Sequence, residues 1–176
     1  MRNLLVLVAV SLASTSAFAC SLAGAELFVP TLKSWERHPG PKQSDETAEG
    51  DYWERIPVPV VRVINVSRGS AKPGASCDDA GTIDLEISLP ASSTYSVSEF
   101  AVYFRVVSGK LPDAIFPDVP LVGEVKDGRM RIFLAWLDGH PKQQIPLDLH
   151  VEAFMVANDL SIGMSTEFNV KADIGG

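Results

Sequence analysis

A seven-stranded antiparallel β-sandwich is the fold that the hydrophobic pattern of this 176-residue chain predicts. Three observations carry that prediction. Residues 82–89 alternate strictly, with Ile83, Leu85, Ile87 and Leu89 on one face and Thr82, Asp84, Glu86 and Ser88 on the other, the period-two signature of a half-buried strand. Six further strand-like runs are separated by turn residues every 8 to 15 positions, and no stretch has the 3.6-residue period of an amphipathic helix. Many short strands without helices pack as two sheets around one core.

The N-terminus reads as an export signal. Arg2 supplies a basic start, residues 4–13 an apolar core, and Ala17-Phe18-Ala19 a small-x-small cleavage site. The apolar core is shorter than the roughly 20 residues that span a bilayer. Removal of residues 1–19 takes away one base and no acid, leaving 14 basic against 22 acidic residues. No basic cluster appears, which argues against nucleic acid and anionic lipid as partners. No later segment is apolar enough to be an integral membrane helix, so the expected location is periplasmic or secreted.

Cleavage there makes Cys20 the first mature residue and leaves Cys77 as the only other cysteine. In an oxidising compartment the two are expected to pair, closing a loop that would stabilise the fold by roughly 4 kcal/mol on the chain-entropy view. The competing chemistries are a lipidated Cys20, which would make the chain a surface-anchored lipoprotein, and two free thiols. Ala17 and Phe18 depart from the residues that usually precede a lipidated cysteine.

Residues 20–58 form an expected N-terminal arm. An apolar run at 25–32 has strand character, a polar loop rich in proline and glycine follows, and Trp35, Tyr52 and Trp53 are costly side chains to leave in water. The sandwich domain itself is assigned to residues 59–172. Its strands are expected at 60–66, 82–89, 100–107, 121–126, 129–137, 147–157 and 164–170. Asp127-Gly128, between the fourth and fifth, is a strong hairpin signal because a type I′ turn needs positive φ at both central positions.

The order of seven strands, the opening Pro57-Val58-Pro59, and the closing stretches 151–158 and 166–170 resemble a fibronectin type III or related immunoglobulin-like module over residues 57–172. The sixth strand lacks that family's corner tyrosine, and the third lacks its core tryptophan, for which Trp136 is the expected substitute. The resemblance implies a module that binds or spaces rather than catalyses.

Candidate chemistry is sparse. His150 shares a strand face with Asp148 and Glu152, about 6.8 Å apart along the strand, which is half of a metal site at most and reads better as a wet sheet face. Asp78-Asp79 lacks the spaced acids of a calcium loop and reads as a polar turn. His38 and His140 each precede a proline, and no nucleophile elbow or cysteine–histidine spacing accompanies them. No cofactor, metal or catalytic residue is therefore assigned, and a hydrolase or metal-dependent enzyme with its site spread over loops is the competing class. More telling are apolar residues on second faces: Phe133, Ala135 and Leu137 in the fifth strand, and Phe154 and Val156 in the sixth. Either the arm or a partner is expected to cover them. The proline-rich loop 111–120 and the turn 138–141 are the expected recognition loops. The candidate binding surface is accordingly Phe116, Phe133, Asp138, His140 and Phe154, its ligand an unidentified protein or glycan.

Overall fold

The computed structural model describes residues 24–28, 56–70 and 79–175. Over these the chain is all-β, with two antiparallel sheets and two single turns of 3-10 helix. Nine strands are present among the described residues: β1 (Glu26–Leu27), β2 (Val60–Ser67), β3 (Ala80–Ser88), β4 (Ala101–Ser108), β5 (Leu121–Val122), β6 (Glu124–Lys126), β7 (Arg129–Leu137), β8 (Leu147–Val156) and β9 (Ile162–Ala172). One sheet runs β1-β5-β4-β8-β9 and the other β2-β3-β7-β6. Their inner faces share one core in a sandwich-like arrangement.

Two differences raise the expected seven strands to nine. The apolar run after residue 24 pairs with β5 as β1. The fourth expected strand divides at Gly123, its halves joining different sheets. The division is steric, since a Cβ on Gly123 would collide with the Arg131 carbonyl, and only glycine lets the backbone pass that close.

The inner faces follow the alternation. Ile83, Leu85 and Ile87 of β3, Met130 and Ile132 of β7, and Leu149, Val151 and Met155 of β8 are all buried. Trp136 is 4% exposed and lies over Gly81, where any side chain would overlap its indole. It occupies the core as the sequence predicts. The hairpin between β6 and β7 has Asp127 at φ 50° and Gly128 at φ 73°, as a primed turn requires.

The outer faces carry cross-strand ion pairs. Glu86 accepts from Arg62 at 2.9 Å and from Arg129 at 3.0 Å, and Arg131 pairs with Asp84. On the other sheet Arg105 pairs with Glu152 at 2.6 Å and Lys171 with Asp148 at 3.2 Å. His150 turns to Asn169 (3.3 Å) and Glu167 (3.1 Å) across β9. Asp148 and Glu152 are thus engaged with cations of neighbouring strands, and all three side chains lie on the ion-paired outer face.

The apolar residues on second faces have separate explanations. Phe133 donates its backbone N–H to Gly24 O at 3.2 Å, and Gly24 lies against its side chain with no room for a Cβ. The N-terminal segment does reach this residue; Trp35 and Trp53 of the expected arm lie outside the described residues. Phe154 sits beside Tyr103, ring centroids 6.1 Å apart, beneath the Arg105 guanidinium at 5.2 Å. Val156, expected on the outer polar side, is instead 1% exposed. The register shifts by a bulge after Phe154, which breaks the simple alternation there.

Candidate functional site

At the end of the sandwich where β4 and β7 finish and β8 begins, a shallow groove of about 420 Å³ opens between Lys110, Leu111 and Pro112 on one side and Leu137, Gly139, Gln143 and Ile145 on the other. Asp138 and Gln144 also line it, and both are buried as residues.

A polar network fixes that floor. Arg68 Nε donates to Asp138 Oδ2 at 2.8 Å and Arg68 Nη2 to Asp138 Oδ1 at 2.9 Å, a two-point guanidinium–carboxylate pair. The carboxylate also accepts from the Gly69 N–H (2.8 Å) and the Trp136 indole N–H (3.0 Å). Arg68 uses its remaining donors on the carbonyls of Ile145 (2.9 Å), Asp173 (3.1 Å) and Ala172 (3.4 Å). Gln144 Nε2 donates to Gly69 O and Gly139 O, both at 2.8 Å, and its Oε1 accepts from Gly175 N at 2.8 Å. The side chains of Arg68, Asp138 and Gln144 thus tie the ends of β2, β7 and β9 together.

The pair is nearly dry, with the Arg68 side chain 4% and that of Asp138 0% exposed. Burial by itself pushes the Asp138 pKa up, but the Arg68 hydrogen bonds, then the Gly69 and Trp136 donors, outweigh it and hold the carboxyl below its ordinary 3.8. Asp138 is a fixed anion whose charge is already answered. It is an anchor for the groove, not a free acid or base.

The rim differs in character. Leu137 is 75% and Leu111 37% exposed. All five arginines among the described residues are ion-paired. Lys110, and Lys142 in the same 3-10 turn as Gln143 (Pro141–Gln143), enter no ion pair among those residues. Leucine side chains beside the unneutralised Lys110 ammonium suit an apolar ligand that carries a carboxylate.

The expected site residues separate. Asp138 lines the groove, and His140 is exposed beside it, its Nδ1 accepting from Lys142 N at 3.2 Å to cap the 3-10 turn. Phe116 packs on Phe104 at 5.4 Å, and Ile115 next to it is buried, so the far part of the proline-rich loop belongs to the core margin. Phe133 and Phe154 lie on the outer faces of opposite sheets. The two expected loops do meet, through Leu111 and Pro112 on one side and 138–139 on the other. Arg68, Lys110 and Gln144 were not singled out by the sequence. Leu137 was, as an apolar residue on a second strand face, but not as part of the recognition loops.

Cys20, Cys77 and Asp78 lie outside the described residues. Among those described, no three His, Cys, Asp or Glu side chains are arranged to hold a metal ion, and no helix is long and apolar enough to cross a membrane. Comparison with protein-family models, with curated proteins and with solved structures gives no match.

Proposed function

We propose that this chain is an exported recognition module, immunoglobulin- or fibronectin type III-like, that binds an apolar, carboxylate-bearing peptide segment and catalyses nothing. The observation that carries this reading is the groove: exposed Leu111 and Leu137 and unpaired Lys110 stand over a floor immobilised by Arg68 and Asp138, with Lys142 in the adjoining 3-10 turn. A rigid floor lowers the ordering cost of binding. The acid at that floor has its charge fully answered, so it neither repels an anionic ligand nor is poised to move protons.

The test is a titration of isotope-labelled mature protein with an N-acetylated Asp-Leu dipeptide amide. Amide shifts centred on residues 110–112, 137–139 and 143–145 support the groove. Their absence at saturating peptide, or shifts centred elsewhere, dismisses it. Export and the Cys20–Cys77 bond are tested by intact mass. A chain beginning at Cys20 that gains two hydrogens on reduction has the disulfide, whereas one heavier by acyl chains is the membrane-anchored lipoprotein.

A further inference from the structure

The opposite end of the molecule carries a second unusual feature. Between β8 and β9 the chain turns through Asn158, Asp159, Leu160 and Ser161. The Leu160 N–H donates to Ala157 O and the Ala157 N–H to Ser161 O, both at 2.9 Å, while Asp159 Oδ1 accepts from Ser161 N at 3.0 Å. This turn holds Leu160 at φ 70°, the left-handed region that glycine or asparagine ordinarily fills. Leu160 is 56% exposed, so most of its surface stays in solvent. Ile162 and Met164, which follow, are 57% and 76% exposed. A strained leucine kept in solvent beside two more apolar side chains is unfavourable for the isolated chain. It marks a surface that contacts something else.

The groove and this tip are complementary in charge. One is lined by two exposed leucines and the unpaired Lys110, with Lys142 in the adjoining turn; the other is a turn that exposes Leu160, Ile162 and Met164 with Asp159 beside them. They cannot meet within one molecule. The ten residues of β8 lie between them, which at about 3.4 Å per residue places them roughly 30 Å apart.

We infer that the groove's occupant is the β8–β9 tip of a second copy of this chain, with Leu160 seated between Leu111 and Leu137 and Asp159 facing Lys110 and Lys142. The inference rests on the groove being a recognition site. Because the two surfaces differ, the contact is head-to-tail, and a pair of copies keeps one free groove on one copy and one free tip on the other. A contact this small falls short of the roughly 1,200 Å² typical of stable interfaces. Association is therefore expected to be weak and to rise with concentration.

The experiment is sedimentation of the full mature chain across roughly a hundredfold concentration range, where mass action exposes weak assembly. The parent is expected to grow beyond dimer as concentration rises. Leu160→Asn and Leu137→Asp are each expected to abolish growth. Asparagine suits the left-handed turn, so Leu160→Asn also raises the melting temperature, and its loss of association is then not misfolding. Mixed, the two variants should form a heterodimer and nothing larger, because one supplies only a groove and the other only a tip. A parent that stays monomeric, or a Leu160→Asn chain that assembles like the parent, overturns the inference. A Leu137→Asp chain that dimerises alone places the contact tip-to-tip and overturns it too. A dipeptide that binds a strictly monomeric parent leaves the groove reading standing without this occupant.

Discussion

Arg68 and Asp138, seventy residues apart in the chain, form a two-point ion pair with almost no exposed surface, at 2.8 and 2.9 Å. The pair joins the end of β2 to the end of β7, and Arg68 goes on to hold the C-terminal residues after β9. The groove exists because these loop ends are pinned.

Breaking the pair from one side should be severe. Arg68→Met or Asp138→Leu alone strands a buried charge and is expected to cost about 3–5 kcal/mol, read as a fall in the urea midpoint. The double replacement is expected to cost much less than the sum, since no orphaned charge remains. Additive losses would show that the two side chains act independently.

Acid should weaken the parent through the same pair. The folded-state pKa of Asp138 is depressed, so its contribution is complete above the ordinary value of 3.8 and is lost as pH falls through the folded value. Urea midpoints measured from about pH 6 down to about pH 2 should decline more steeply for the parent than for the double variant. Parallel curves would assign the acid loss to other carboxylates.

Close backbone approaches make two glycines irreplaceable. Gly81→Ala would drive a methyl into the Trp136 indole, and Gly123→Ala into the Arg131 carbonyl. Each is expected to cost at least the roughly 1–3 kcal/mol of an overpacked core. Gly123→Ala is the costlier, because backbone yields less than a side chain. Thermal melts of both variants check the order.

Leu160 offers the opposite sign. Its φ of 70° costs an L-residue about 1–2 kcal/mol. Leu160→Asn or Leu160→Gly should therefore stabilise the monomer, with a rise of about 2–4 °C for roughly 1 kcal/mol in a chain of this size. A lower melting temperature would mean that the exposed side chain makes stabilising contacts.

Local pattern was legible wherever one residue's neighbours decide its conformation. The alternation at 82–89 became β3, which pairs with both β2 and β7 in its sheet, and Asp127-Gly128 made the predicted hairpin with both φ values positive. The apolar stripe of β7 placed Trp136 in the core. Where the alternation breaks, it misled: the bulge after Phe154 buries Val156, and the close pass at Gly123 divides one apparent strand between two sheets.

The sequence by itself determined the all-β class, the position of each main strand and the expectation of export, because period-two burial and turn chemistry act over a few residues. Tertiary structure alone decided that Arg68 would meet Asp138, that Leu111 would face Leu137, and that Phe116, Phe133 and Phe154 would fall on separate surfaces. Those outcomes depend on the order of strands within two sheets and on which loop ends share one end of the sandwich. Strand order is a long-range choice that no local period encodes.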